Sequence, residues 1–162
     1  MTTLLLHHSD CEKHVMLDHH PESPARLVEI MRQLESVSDD TRLRAEEATE
    51  IHADLFARIP PNSYLSMLAE LKPGEGIARI DADTSLNKHS LRAARLAAGA
   101  NITAVEAVLA GRADNAFCAV RPPGHHAESA LALGFCIFNN IALATERALQ
   151  LGAERVAIVD FD

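Results

Sequence analysis

The chain reads as an α/β protein in which helices are layered on a largely parallel sheet. Short apolar runs of strand length alternate with stretches whose apolar residues recur at three and four. The run Val156-Ala157-Ile158-Val159 is apolar without alternation, the pattern of a strand covered on both faces. Glycine and proline punctuate most of the junctions.

The elements follow in order. Thr3 to Leu6 is the first strand candidate. A helix start is written at Ser23-Pro24, a hydroxyl cap before a proline at the first helical position, with Leu27, Ile30, Met31 and Leu34 on one face. Glu50 to Ile59 reads as a short helix stopped by Pro60-Pro61, and Tyr64 to Leu71 as another ended by Lys72-Pro73-Gly74. The region 60–83 is the most loop-like, with a strand candidate at Ile77 to Ile80. From Ser90 to Leu109, apolar Leu91, Ala94, Ala98, Ile102, Val105 and Leu109 define the longest helix, with Gly111 as its stop. Ala116 to Val120 is the next strand, and Asn139 or Asn140 caps a helix running through Leu143 and Leu149 to Gly152.

At 162 residues the expectation is one domain, which buries roughly two thirds of its unfolded surface. With 48% hydrophobic and 23% charged residues, and no apolar run near the ~18 that a membrane helix needs, the composition is that of a soluble globular protein. Thr2 to Leu6 is too short for a signal segment and lacks a basic flank. The net charge of −8 argues against a nucleic-acid partner, because phosphate binding relies on clustered basic side chains. Three widely spaced cysteines, Cys11, Cys118 and Cys136, make no disulfide framework and fit a reducing cytoplasm.

Two stretches carry chemistry. Arg121-Pro122-Pro123-Gly124-His125-His126-Ala127-Glu128 places adjacent imidazoles on a stiff loop after a strand, and Val159-Asp160-Phe161-Asp162 places carboxylates at i and i+2 as another strand ends. Sites in parallel sheets form beyond the carboxyl ends of strands, which is where both lie. In a chain with nine histidines a bare His-His pair is more often a surface loop, as His7-His8 and His19-His20 illustrate. The Pro-Gly context and the strand before it set His125-His126 apart. Cys11, His14 and His19 also admit reading as a structural zinc cluster, but lack an obvious fourth ligand.

Arg121 to Glu128, Gly134-Phe135-Cys136-Ile137-Phe138-Asn139-Asn140 and Val159 to Asp162, together with His20 to Leu27 and Asp81 to Ser85, resemble the zinc-dependent histone deacetylase superfamily. That superfamily includes bacterial histone-deacetylase-like amidohydrolases and acetylpolyamine amidohydrolases, and the Arg-Pro-Pro-Gly-His-His wording is nearer its class II-like branch. The resemblance covers the chain in order. It implies a three-layer arginase/deacetylase-like fold, with residues 1–162 as the N-terminal part of a single catalytic domain.

It also implies roles. His125 and His126 match the pair that activates water and passes a proton to the leaving amine, and Asp160 matches the buried carboxylate that orients His125. Asp162 matches the first zinc ligand, the other two falling outside this chain. Gly134 matches the tunnel-wall glycine that takes the substrate amide, and Phe135 an aromatic wall; Phe135 as an ordinary core aromatic is the alternative. Arg26 matches a buried arginine on the acetate channel, against the alternative of a surface charge. Asp83, with Asp81 second, matches the rim aspartate that holds the substrate backbone, against simple turn formation. Cys136, among apolar neighbours, is expected to be an inert packed thiol. Pro60 departs from the pattern, standing where many relatives carry a histidine before the residue matched by Tyr64.

The implied activity is zinc-dependent removal of acetyl groups from acetyl-lysine or acetylated polyamines by the intact protein. The 162 residues alone are expected to be inactive and to self-associate through an exposed edge at Val156 to Val159. The rivals are a non-catalytic protein that keeps the fold as a binding or structural unit, and an arginase-like two-metal hydrolase of a guanidino group.

Overall fold

The computed structural model describes residues 1–162 except Ser38 and Ala57. The main sheet has three parallel strands in the order β2-β1-β5: β1 (Thr3–His7), β2 (Leu43–Glu47) and β5 (Asn115–Ala119). Successive side chains on β1 point to opposite faces, and the two faces are filled by different helices. Leu4 and Leu6 pack with Ala100 and Ala107 of α4 (Ser90–Leu109), while Leu5 packs with Leu27 of α1 (Pro24–Glu35), with Met31 and Leu34 alongside. The expected layering of helices on both faces of a parallel sheet is therefore present.

β2 was not expected. Its sequence, Leu-Arg-Ala-Glu-Glu, carries three charges in five residues, and its side chains are exposed or only half-buried. An edge strand with solvated side chains has no apolar run to announce it, and backbone pairing to β1 alone defines it.

The helix over Ser90–Leu109 ends at Gly111, whose φ of +67° closes the helix with a left-handed residue. α5 (Asn140–Gln150) takes Asn139 as its cap, the side chain accepting from the Ala142 amide at 2.9 Å. α1 starts at Pro24 as expected, but the Ser23 hydroxyl makes no cap bond; the Arg26 amide turns to the Ser23 carbonyl at 3.1 Å instead. α2 (Ala53–Phe56) is shorter than the expected 50–59 helix, of which Ala57 lies outside the described residues. α3 (Asn62–Leu71) stops before Pro73-Gly74.

Two strand expectations are corrected. Ile77 to Ile80 contributes only β3 (Ala78–Arg79), paired antiparallel to β4 (Ser85–Leu86) in a separate hairpin. Asp81 folds the chain back on itself, its carboxylate accepting from the Asp83 and Thr84 amides at 2.9 and 2.6 Å. The run Val156–Val159 is not a strand buried on both faces: it makes no ladder with β5, and Ile158 and Val159 are 58% and 84% exposed. It faces Ala116, Phe117 and Cys118 across a cleft of about 480 Å³. An apolar run signals a preference for burial, but a strand also needs a backbone ladder, and among the described residues this run forms none. Among the described residues no helix is long and apolar enough to cross a membrane.

Candidate active site

The site lies past the carboxyl end of β5. Arg121 follows that strand, the Arg121–Pro122 peptide is cis, and the loop through Gly124 brings His125 and His126 to the sheet edge. Asn139, the cap of α5, holds this loop from behind: its Nδ2 donates to the Ala127 carbonyl at 2.9 Å and to that of His125 at 3.4 Å. The buried Asn140 donates to the Pro122 carbonyl at 3.4 Å.

Asp160 and Asp162 approach from the other side. His125 Nδ1 is 3.0 Å from Asp160 Oδ2, its Nε2 is 3.3 Å from Asp162 Oδ2, and His126 Nε2 is 3.5 Å from the same oxygen. The two imidazoles sit with centroids 4.1 Å apart. Asp160 has its carboxyl held below the usual carboxylate range, first by the Asp162 amide and then by His125. The expectation of a buried orienting carboxylate is corrected: the Asp160 side chain is 52% exposed and that of Asp162 71% exposed, because the segment carrying them has no strand neighbour to shield it.

The geometry sets the tautomer. Asp160 only accepts when ionised, so the His125 Nδ1–H donates to it; in the neutral ring the Nε2 lone pair then faces Asp162 Oδ2. Two acceptors at 3.3 Å repel unless a proton or a cation lies between them. One ligand atom from each of His125, His126 and Asp162 falls within 4.8 Å of the others, a nitrogen and oxygen donor set that fits a zinc-type cation.

A cleft of about 550 Å³ collects Arg26, His125, His126, Gly134, Phe135, Asp160 and Asp162. Gly134 has φ +53°, and a Cβ there would stand 2.5 Å from His126 Cδ2, so this position needs glycine for both its backbone and its neighbour. Phe135 also has a positive φ, +70°, uncommon for a bulky residue. Its amide donates to Thr84 Oγ1 at 3.1 Å, and its ring makes a T-shaped contact with His20, the centroids 4.6 Å apart. Half-buried in the cleft, Phe135 is not simply a core aromatic.

Other expectations differ from what is found. Arg26 lines the cleft but is exposed, so the buried guanidinium expected there is absent: it lies on the first turn of a helix whose inward face is taken by Leu27. Asp83 is not among the cleft-lining residues; its carbonyl accepts from His20 Nε2 at 3.0 Å, which ties it to the Phe135 wall. Asp81 makes the turn, the plainer of its two readings. Cys136 is buried, and burial pushes its thiol up to about 11, as expected of an inert packed cysteine. Cys11, His14 and His19 do not converge into a metal cluster among the described residues; His14 bonds Ser90 Oγ at 2.7 Å instead. Not foreseen were the roles of Glu22, His20 and Thr84. Glu22 falls in a stretch that resembled the family, but no spacing rule links it to a loop about a hundred residues on.

An open α/β sheet with its donor groups gathered beyond a strand end defines the class of architecture. Comparison with known proteins then gives the family. The histone deacetylase domain family matches residues 20–162, and the chain belongs to that family. It is 37% identical to a probable deacetylase of Archaeoglobus fulgidus, over 100% of this chain and 45% of that protein. Against a histone deacetylase-like amidohydrolase of Pseudomonas aeruginosa it is 40% identical, covering 88% of this chain and 38% of the relative. A human relative, the polyamine deacetylase HDAC10, is 35% identical across 100% of this chain and 26% of its own length. Among solved structures, the HDA15 HD domain superposes with a TM-score of 0.87 at 31% identity, covering 95% of this chain and 44% of that one. The fold is thus the α/β arginase/deacetylase fold, and the chain spans less than half the length of these relatives.

Proposed function

We propose that residues 1–162 form the N-terminal part of a single catalytic domain, and that the full-length protein is a zinc-dependent amidohydrolase. Its substrate would be an acetylated lysine or an acetylated polyamine. The observation that carries this reading is the convergence of His125 and His126 on Asp162, with Asp160 bonded to the far nitrogen of His125. The names of the relatives, a probable deacetylase, an amidohydrolase and a polyamine deacetylase, support it.

Asp162 would hold the zinc, with further ligands from outside these residues. When bound, zinc supplies a Lewis acid for the acyl carbonyl and lowers the pKa of a water. Asp160 holds His125 with its Nε2 lone pair toward the cleft, so His125 is the base that accepts the water proton. His126, tilted against it and more exposed, delivers a proton to the departing amine. Gly134 and Phe135 line the approach, where an aliphatic stem needs an apolar wall, and Arg26 offers a guanidinium to the acetate product. The acidic balance suits cationic substrates. Catalytic zinc normally takes three protein ligands; with His125 and His126 given to proton transfer, Asp162 alone remains to hold the metal, so these 162 residues by themselves are proposed to be inactive. Cys11, Cys118 and Cys136 are all unpaired, in keeping with a reducing cytoplasm.

The test is turnover of an acetyl-lysine peptide and an acetylated polyamine by the full-length protein. His125→Ala is expected to lower kcat by about 10² to 10⁴, and Asp162→Ala to lose zinc and activity together. Full activity in Asp162→Ala, or in the presence of a zinc chelator, would refute the reading.

A further inference from the structure

Behind the histidine loop lies a charge pair that the chemistry above does not use. Arg121 and Glu22 are 5% and 1% exposed. Arg121 donates from Nε and Nη2 to the two carboxylate oxygens of Glu22, the second at 2.6 Å. Its Nη1 donates to the carbonyls of Cys11 and His14, both at 3.0 Å. The guanidinium is clamped on several sides, four residues before His125, and two prolines stiffen the backbone between them. Where Arg121 is held, the loop that carries His125 is held.

Glu22 also reaches the opposite wall of the cleft. Its amide donates to His20 Nδ1 at 3.1 Å, which leaves the His20 Nε2–H to donate to the Asp83 carbonyl at 3.0 Å, with the ring edge against Phe135. One acidic residue thus stands between the histidine pair and the aromatic wall. Stability alone does not call for it, because an apolar pair of similar volume serves a protein interior at least as well as a buried ion pair. What the two-pronged arginine–carboxylate geometry adds is direction.

We propose that Glu22 is a positioning residue for the histidine pair: its two-oxygen grip on Arg121 sets the direction in which the Pro-Pro-Gly loop delivers His125 to Asp160. The link to proton transfer rests on the deacetylase reading; the link to His125 geometry does not.

The experiment uses the full-length protein labelled with ¹⁵N-histidine, with His125 assigned by the loss of its signals in His125→Gln. Ring ¹⁵N shifts report the tautomer. The wild type is expected to hold His125 with its proton on Nδ1. Glu22→Gln keeps the side-chain shape but offers Arg121 a single oxygen, and should give mixed tautomers. In the same variant kcat should fall about 10- to 100-fold while KM stays within about twofold, as misplacement of a reacting group would cause. Arg121→Lys, which keeps the charge without the fork, should do the same. Leu4→Ala, a core truncation on the face of the sheet packed by α4, is the stability control and should leave the His125 tautomer unchanged.

An unaltered His125 tautomer in a folded Glu22→Gln protein would overturn the proposal, and so would failure of both variants to fold, since the pair would then be structural only. If the protein shows no deacetylation but Glu22→Gln still disturbs the tautomer, the positioning role stands and the proposed reaction falls.

Discussion

Gly134→Ala isolates what the site demands of its backbone. With φ at +53°, Gly134 is in the left-handed region, where a side chain costs about 1 to 2 kcal/mol. The added methyl would also lie 2.5, 2.9 and 3.1 Å from His126 Cδ2, Cγ and Cβ. Turning the ring about its own axis relieves only the first of these, so His126 must shift as a whole or the 134–135 backbone must yield, for roughly 1 to 3 kcal/mol more. Gly111 supplies the comparison: its φ is +67°, yet nothing lies within 4 Å of its Cβ position, so Gly111→Ala carries the backbone cost alone. Urea denaturation at constant m-value should therefore show Gly134→Ala as the costlier change by at least about 1 kcal/mol. Most of the excess should vanish in a His126→Ala background, where only the Cβ contact at 3.1 Å remains, as a double-mutant cycle would report. Equal costs for the two glycines, or an excess undiminished by removal of the His126 ring, would refute the steric argument.

Gly99→Ala is expected to destabilise by about 2 kcal/mol or more even though alanine favours helix by about 1 kcal/mol, because its Cβ would run into the Thr49 carbonyl and the Ile51 amide; denaturation of the variant measures this. His14 is fully buried between Ser90, Glu22 and Arg121, and burial outweighs the nearby Glu22 carboxylate to bring its pKa down to about 4. The native state therefore binds fewer protons than the unfolded chain between pH ~6.5 and ~4. That contribution to stability is whole above pH ~6.5 and declines on acidification, by roughly 3 kcal/mol at most, with His14→Asn expected to flatten the slope of urea stability against pH. Cys136, its thiol pushed up by burial, should react with iodoacetamide at pH 8 only when the chain unfolds; rapid native-state labelling at that residue would contradict the packing described for it.

Local covalent rules made much of the frame legible in the sequence. Pro24, Gly111 and Asn139 act on their own turn of chain, through a fixed φ, a positive φ and a capping side chain, so they mark their helix ends without help from elsewhere. The 116–120 strand and the Pro-Pro-Gly loop likewise placed the histidine pair beyond a strand end, and His125 does meet Asp160 there. Contacts distant in sequence were decided only by the tertiary structure. β2 became a strand by pairing with β1 despite its charges, whereas Val156–Val159, apolar throughout, did not, because pairing depends on a neighbouring backbone that composition does not record. Arg26 turned out exposed, while Glu22 and Arg121, 99 residues apart, form the buried pair. Burial of a charge becomes tolerable only when its partner arrives in three dimensions, and no period of two or 3.6 residues encodes that meeting.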